Sequence, residues 1–439
     1  MEPVTKKVYS SWNVPSSQFA KNTFNPIRSI VDGMKLTPNP EKDMIALSIG
    51  DPTVFGNMAL PDEAEESMIE SVKSRKFNGY GQSFGIEKAR AAIAEYSSKE
   101  GYKITAKDVI LTSGCSGALD LCIACLCNPG QNLLIPRPGF SIYKTLAESH
   151  KIIVKDYNLL PNKSWQVDLE HLESLIDDRT AAIVVNNPSN PCGSVYNKEH
   201  LIEILNLAEK YKIPIIADEI YEHFVFSGNT YYPIASLTET VPVLSCSGLT
   251  KRFIVPGWRL GWIIIFDKND VFEAEVRQGL ISLSQRILGP SSIVQGAVEG
   301  ILTKTPQTFF EETIEFVETN AKLFYNNIVR IAGLHPVMPQ GAMYMMIGIE
   351  MEKFPEYIDD VAFTEALVRE ESVFCLPAKK PLNQFELSLA GSIWQEGFEI
   401  FTNYADPVSN MADFTKMFPV SRVFPCCANS SKRQTIASM

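Results

Sequence analysis

Short apolar segments alternate with helical segments through the middle of the chain, and this pattern constrains the fold more than any other feature. The clearest helix begins at an Asn197 N-cap and is followed by apolar residues on one face, at positions 201, 204, 205 and 208. Strands that alternate with helices predict a mainly parallel sheet covered by helices on both sides. Ligands of such sheets bind beyond the carboxyl ends of the strands, so we expect the chemistry in those loops. The predicted strands are 109–111, 132–135, 152–157, 181–185, 213–217, 241–244 and 261–266.

The length of 439 residues favours two domains over one. We predict an N-terminal arm and part of a small domain in residues 1–80, and a large domain in residues 81–330. The small carboxyl-terminal domain is predicted in residues 331–404. Residues 405–439 are rich in Pro, Ser and Asn, which favours a disordered tail.

Composition argues against several classes of function. The formal net charge of −11 disfavours a nucleic-acid partner, because phosphates are bound by an excess of Lys and Arg. No apolar run approaches the roughly 18–20 residues that span a membrane. The pair Cys122-x-x-Cys125 lacks a second pair at matching spacing, and the histidines are dispersed, so no metal site is expected. Scattered cysteines without a secretory signal predict a cytoplasmic protein.

The loop after the strand at 109–111 is rich in small residues and runs into an apolar helix. Small residues let backbone N–H groups at a helix N-terminus face an anion, and Ser116 adds a hydroxyl, which favours a phosphate site. A plain strand–helix turn capped by serine explains the same residues equally well. The segment matches neither the P-loop nor the dinucleotide-binding glycine pattern.

A second loop, after the strand at 241–244, carries Lys251 and Arg259. An amine beside another cation in a poorly solvated site has a lowered pKa, which makes it a nucleophile toward carbonyl groups. The alternative is a surface lysine in a turn, which is the commoner situation for this residue type.

Three further strand ends carry polar or aromatic side chains. Asp218 ends an apolar strand, and a buried carboxylate there requires a cation, while Tyr221 can bring its phenol to the same pocket. Asn190, held before a proline, can direct its amide toward a ligand oxygen, and Phe140 offers an aromatic face. The alternatives are a helix N-cap at Asp218, a turn at Asn190, and simple packing of the two aromatic rings.

Together these loops favour a single ligand that has a phosphate, a cationic ring nitrogen, a ring oxygen and a carbonyl group. Pyridoxal 5′-phosphate has all four. Lys251 would bind its carbonyl carbon and move a proton from the substrate Cα, and Asp218 would keep the ring nitrogen protonated. A nicotinamide dehydrogenase is disfavoured, because the glycine pattern is missing and Lys251 would have no role.

In these segments the chain resembles the class I/II aminotransferases of fold type I, specifically the branch that acts on tyrosine. The resemblance spans residues 9 to 378 and implies an α/β fold, with a large domain whose mainly parallel sheet is flanked by helices and a smaller α+β domain. The segments that carry it are 23–28, 48–56, 106–115, 136–140, 186–193, 217–221, 251–262, 283–290 and 341–344.

The resemblance also implies roles for individual residues. Lys251 corresponds to the Schiff-base lysine, Asp218 to the partner of the pyridine nitrogen, and Asn190 and Tyr221 to the partners of the ring oxygen. Ser116, Cys115 and Arg259 correspond to phosphate ligands, Phe140 to the ring-stacking residue, and the Gly50 backbone to a wall of the substrate pocket. Tyr80 corresponds to a tyrosine that reaches the phosphate of a neighbouring subunit, which implies a homodimer with shared sites.

The activity implied is transamination of L-tyrosine with 2-oxoglutarate, which yields 4-hydroxyphenylpyruvate and L-glutamate in tyrosine and phenylalanine catabolism. Two alternatives share the fold: an aminotransferase of broad specificity and a C–S lyase. A third alternative is a catalytically silent dimer that keeps the cofactor fold.

The resemblance stops after Ala378. In the family, the segment that follows contains an arginine that binds the substrate α-carboxylate. No arginine occurs between Arg369 and Arg422. Lys379 or Lys380 could substitute, but lysine lacks the forked geometry of a guanidinium group. The sequence therefore predicts a chain that binds the cofactor and transaminates poorly.

Overall fold

The computed structural model of the chain describes residues 11–12, 14–48, 50–53, 58–99, 102–378 and 387–392. The helices in this part of the chain are α1 (Gln18–Asn22), α2 (Pro26–Gly33), α3 (Asp62–Ser74), α4 (Glu87–Ser97), α5 (Gly114–Leu126), α6 (Ile142–Ser149), α7 (Leu169–Ser174), α8 (Lys198–Tyr211), α9 (Val276–Ser284), α10 (Ser292–Lys304), α11 (Gln307–Ile328) and α12 (Asp360–Glu371). The strands are β1 (Ile45–Ala46), β2 (Val109–Thr112), β3 (Asn132–Arg137), β4 (Ile153–Leu160), β5 (Gln166–Val167), β6 (Thr180–Asn186), β7 (Ile215–Asp218), β8 (Val243–Gly248), β9 (Gly261–Phe266), β10 (Leu334–Pro336), β11 (Tyr344–Ile349), β12 (Val373–Phe374), β13 (Leu376–Pro377) and β14 (Leu387–Ser392).

The large sheet has the strand order β2-β9-β8-β7-β6-β3-β4-β5. From β8 to β4 in that order, each strand is parallel to the next one. β9 runs antiparallel between β2 and β8, and β5 is antiparallel to β4. The predicted mainly parallel sheet is thus confirmed.

Both faces of this sheet are buried, which explains why its strands are continuous apolar runs. Ile216 on β7 and Leu244 on β8 belong to the core on one face, which α5 and α6 cover. Their neighbours Ile215 and Val243 belong to the core on the other face, with residues of α4, α8 and α10. Side chains alternate across a strand, so a strand covered on both sides favours apolar residues at most positions.

The start of α8 follows the predicted N-cap. The Asn197 side-chain oxygen accepts a hydrogen bond from the backbone N–H of His200 at 2.8 Å. The helix buries Leu201, Ile204, Leu205 and Ala208, the four residues that the sequence placed on one face.

A smaller antiparallel sheet, ordered β10-β11-β14-β13, forms from the carboxyl-terminal part of the chain. β14 lies where the sequence shows no clear period, so the sequence analysis missed this strand. It pairs with β11 along its length, from Tyr344↔Ser392 to Ile349↔Leu387. A strand preference that depends on tertiary context is weakly encoded in the local sequence.

The N-terminal segment joins the carboxyl-terminal half through β1, which pairs in parallel with β12. β1 is limited to Ile45–Ala46, because the chain turns at Leu47 and leads to Gly50. Three helices, α9, α10 and α11, follow one another between residues 276 and 328.

In the described part of the chain, no helix combines the length and the apolar character needed to cross a membrane. Among the same residues, no three or more His, Cys, Asp or Glu side chains are grouped to hold a metal ion. Cys122 and Cys125 have different neighbours, since the Cys122 Sγ lies 3.6 Å from the Cys246 Sγ and the Cys125 thiol donates to the Val276 carbonyl oxygen at 3.5 Å. Lys379, Lys380 and the predicted tail lie outside the described residues.

Candidate active site

The loop after β8 places Lys251 at the carboxyl edge of the large sheet. Its Nζ donates a hydrogen bond to the Gly50 carbonyl oxygen at 2.5 Å and lies 5.8 Å from the centre of the Tyr221 ring. Burial lowers the pKa of Lys251 to about 8, and Arg259 adds to the shift while Asp51 opposes it. The sequence analysis named both causes of the lowered pKa, a poorly solvated site and a neighbouring cation, and burial is the larger of the two.

This pKa predicts how the cofactor-free chain reacts with an aldehyde. Only the neutral amine attacks a carbonyl, so the bimolecular rate with pyridoxal should rise about tenfold per pH unit below pH 8 and level off above it. Stopped-flow absorbance between pH 6 and 10 measures the profile. Lys73→Ala, which removes an exposed lysine of α3, should leave it unchanged. A rate that still climbs steeply at pH 10 would contradict the lowered pKa.

Asp218 ends β7 in a buried position between two donors. Its Oδ2 accepts a hydrogen bond from the Tyr143 hydroxyl at 2.6 Å, and its Oδ1 accepts one from the Ile220 N–H at 3.3 Å. Burial raises the pKa of Asp218, and the hydrogen bond from Tyr143 opposes that shift. A buried carboxylate in this state is stabilised as an anion by a nearby cation, and a protonated ring nitrogen is such a group. The alternative of a helix N-cap is wrong, because a turn follows Asp218.

Two tyrosines at the site were not assigned from the sequence. Tyr143 looks like an ordinary core residue of α6, and its only signal is a position three residues after Phe140. Tyr344 lies in a segment of family resemblance but had no role, and its hydroxyl is 2.9 Å from the Tyr221 hydroxyl. Burial raises the pKa of Tyr344 to about 12, so it stays protonated and can orient the Tyr221 hydroxyl.

The N-terminus of α5 and Arg259 form an anion cradle. Arg259 donates from Nη2 to the Ser116 hydroxyl at 3.0 Å and to the Ser113 carbonyl oxygen at 3.2 Å. Within the described residues, no acidic side chain lies within 4.0 Å of this guanidinium group to form an ion pair. A helix N-terminus and a guanidinium group are both positive, so their proximity favours a bound anion such as phosphate.

The Cys115 side chain contacts Asp218, whereas the resemblance implied that Cys115 is a phosphate ligand. Its thiol points to Asp218, with Sγ 3.7 Å from Oδ1, and so it lies against the partner of the ring nitrogen. Only the backbone N–H of Cys115, in the first turn of α5, can then serve the phosphate.

Two glycines around the cradle provide a matched test. Gly114 has a φ of +71°, and a Cβ there would lie 2.5 Å from the Arg259 Nη2, whereas a Cβ at Gly257 would meet nothing within 4 Å. We expect Gly114→Ala to weaken cofactor binding by roughly tenfold or more, because the guanidinium group must move and a charged hydrogen bond is worth about 1.5–3 kcal/mol. Gly257→Ala should bind normally. Fluorescence titration with pyridoxal 5′-phosphate measures both, and equal affinities would argue against the cradle.

Phe140 and Asn190 line a cleft of about 460 Å³ together with Tyr344. The Asn190 backbone is held by its N–H, which donates to the Asn186 side-chain oxygen at 2.7 Å. The walls are largely apolar, as expected for a site that takes an aromatic side chain. Apolar lining residues include Ile27, Ile30, Leu47, Met346 and Leu376.

Tyr80, which the resemblance implied to reach the phosphate of a neighbouring subunit, is 93% exposed. The other residues assemble into a set that fits pyridoxal 5′-phosphate, with an anion cradle at Arg259, a buried carboxylate at Asp218 and a poorly solvated amine at Lys251.

Comparison with known proteins gives consistent results. Residues 42–390 match the family "Aminotransferase class I and II", a match that ends within β14. The chain is 59% identical over 367 residues to tyrosine aminotransferase of Mus musculus, covering 84% of this chain and 81% of that protein. It is 50% identical over 369 residues to tyrosine aminotransferase of Dictyostelium discoideum, covering 83% and 88%. The crystal structure of tyrosine aminotransferase from Leishmania infantum is similar with a TM-score of 0.82 at 34% identity, covering 88% of this chain and 95% of that one.

Proposed function

The chain belongs to the class I and II aminotransferases, which use pyridoxal 5′-phosphate, and on this basis we propose the reaction that it catalyses and the residues that carry it. The reaction is transamination of L-tyrosine with 2-oxoglutarate to 4-hydroxyphenylpyruvate and L-glutamate. Identities of 50–59% with tyrosine aminotransferases support this activity over a C–S lyase, a broad-specificity aminotransferase or a silent dimer.

The observation that carries the proposal is the position of Lys251. Its amine is poorly solvated, has a pKa of about 8 and is held at the Gly50 carbonyl oxygen, near both Asp218 and Arg259. Such an amine can form a covalent bond to a carbonyl and can also accept and return a proton near neutral pH. The bound cofactor supplies an electron-accepting ring that makes the substrate Cα–H acidic.

The other side chains of the site bind and orient the cofactor. Arg259, Ser116 and the first N–H groups of α5 bind the phosphate, and Asp218 holds a proton on the ring nitrogen with Tyr143 fixing the carboxylate. Tyr221, positioned by Tyr344, and Asn190 donate hydrogen bonds to the ring oxygen, and Phe140 packs on the ring face. These roles are supported by the hydrogen bonds at Asp218, Tyr221 and Arg259.

The assembly proposed is a homodimer in which Tyr80 reaches the phosphate of the neighbouring subunit. The high exposure of Tyr80 supports this role, because its side chain is free to contact a second subunit. A reducing, cytoplasmic location is supported by the seven cysteines of the described residues, none of which forms a disulfide.

Product analysis of the cofactor-loaded chain tests the function. With L-tyrosine and 2-oxoglutarate, we expect 4-hydroxyphenylpyruvate and L-glutamate in equal amounts. Release of pyruvate and ammonia from an S-alkyl cysteine would favour a lyase. A chain that binds the cofactor, yet leaves its visible absorbance unchanged on addition of tyrosine, would favour the silent dimer. The weak turnover expected from the missing carboxyl-terminal arginine stays a prediction, and a rate equal to that of the mouse enzyme would contradict it.

A further inference from the structure

Each substrate of the proposed reaction brings a carboxylate into the cleft, and 2-oxoglutarate brings two. A carboxylate in a poorly solvated site requires a cationic partner. Arg259 cannot serve, because it belongs to the phosphate cradle. Among the residues that the structure describes, two cationic side chains line the cleft, those of Arg137 and Lys144. Lys144 is paired on its own helix with Glu148, at 3.6 Å, and its side chain is 35% exposed.

Arg137 differs from Lys144 in that no residue of the described part of the chain is its acidic partner. It is the last residue of β3, three residues before Phe140, and it lines the same cleft as Phe140 and Asn190. Its Nη2 donates to the neutral side-chain oxygen of Asn158 on β4. Its Nε is buried and finds no hydrogen-bond partner among the described residues. Among the described residues, no carboxylate lies within 4.0 Å of the Arg137 guanidinium group to form an ion pair.

A guanidinium group that is partly withdrawn from water and unpaired is costly to the folded chain, and an incoming carboxylate would satisfy it. Its planar fork also suits a carboxylate better than an ammonium group does. Among the described lining residues, Asp156 is the acidic one, so this part of the cleft carries two positive charges and one negative charge. Asn158 fixes the direction of the guanidinium group without neutralising it.

We propose that Arg137 is a carboxylate-binding residue of the substrate cleft. This inference rests on the proposed function for the identity of the substrates, and it assigns to Arg137 a role that no motif in the sequence indicated. The carboxylate can come from two sources: the α-carboxylate that all substrates share, or the distal carboxylate that 2-oxoglutarate alone carries.

Binding of unreactive acids to the cofactor-loaded chain tests the proposal without turnover. Calorimetric titration with glutarate and with valerate compares a dicarboxylate with a monocarboxylate of the same chain length. We expect Arg137→Met to weaken glutarate binding roughly 10- to 100-fold, as loss of a charge-assisted hydrogen bond predicts. Lys144→Met, the matched loss of one positive charge from the same cleft, should change the affinity less than threefold.

The two acids distinguish the sources. If Arg137 binds the α-carboxylate, Arg137→Met weakens glutarate and valerate alike and also raises the KM for tyrosine. If it binds the distal carboxylate, only glutarate and 2-oxoglutarate are affected. No glutarate binding to the unmodified chain, or equal affinities of the unmodified chain and Arg137→Met, would overturn the proposal. So would an equal loss in Lys144→Met, which would indicate a general effect of charge.

Two further variants distinguish carboxylate binding by Arg137 from a purely structural role. Arg137→Lys keeps the charge without the fork and should restore part of the affinity, whereas a packing defect would not be rescued by lysine. Asn158→Leu leaves Arg137 intact but unanchored and should weaken glutarate binding less than Arg137→Met does. Thermal unfolding of each variant checks the fold. Glutarate binding that depends on Arg137 in a chain that does not transaminate tyrosine would contradict the proposed function and leave this inference standing.

Discussion

Replacing Lys251 with alanine should abolish transamination while the chain still folds and still binds the cofactor. Proton transfer by a positioned side chain is worth roughly 10²- to 10⁴-fold in rate, and Lys251 also supplies the covalent bond to the carbonyl. We therefore expect the rate of the tyrosine half-reaction to fall by at least about 10⁴-fold. Single-turnover absorbance of the cofactor-loaded variant measures this rate.

Two variants control this experiment. Lys73→Ala removes an exposed lysine of α3 and should react at the unmodified rate. Lys251→Arg keeps the positive charge but removes a group that can be neutral near pH 8, so it should be as inactive as the alanine variant. Substantial turnover by Lys251→Arg would show that charge rather than nucleophilic and proton-transfer chemistry is the contribution of this position.

Replacing Asp218 with asparagine should also cause a large loss of cofactor affinity or of reaction rate. The shape and the hydrogen bond from Tyr143 can be kept, but the negative charge is lost, so nothing stabilises a proton on the ring nitrogen. Removing one partner of a buried charge pair costs about 3–5 kcal/mol, which corresponds to roughly 100-fold or more in cofactor affinity or rate. Cofactor titration and single-turnover kinetics together measure the two effects.

Tyr143→Phe provides the graded comparison for Asp218. It keeps the charge and removes only one hydrogen bond, which is worth about 1.5–3 kcal/mol when the acceptor is charged. We expect its losses to lie between those of the unmodified chain and Asp218→Asn. An Asp218→Asn variant with unchanged kinetics, or a Tyr143→Phe variant with larger losses than Asp218→Asn, would contradict the assigned role of the carboxylate.

The site is held together by contacts between segments far apart in sequence. Hydrogen bonds join Lys251 to Gly50, Arg259 to Ser113 and Ser116, and Tyr221 to Tyr344. Each of these pairs joins two segments that are distant in sequence, so the position of any one group depends on the packing of the sheet and helices behind it. This arrangement explains why the chemistry lies at one edge of a rigid sheet.

Much of the large domain could be predicted because its signals are local. The N-cap at Asn197 and the apolar face of α8 follow from residues one helical turn apart, and β9 matches its predicted bounds. Lys251, Asp218 and Arg259 could be singled out as candidates because charged residues near the ends of apolar strands are conspicuous. β14 was missed because its sequence shows no clear period, and it was identified by its pairing with β11.

The alternating sheet-and-helix core and the residue types at the strand ends could be recognised in the sequence, because both are encoded in short stretches of chain. The contacts of these residues became apparent only in the folded chain. There the Cys115 thiol points toward Asp218, Tyr143 and Tyr344 lie in the site, and Arg137 lines the cleft with no acidic partner among the described residues. Hydrogen bonds and burial depend on atoms that are distant in sequence and close in space, and no local pattern records them.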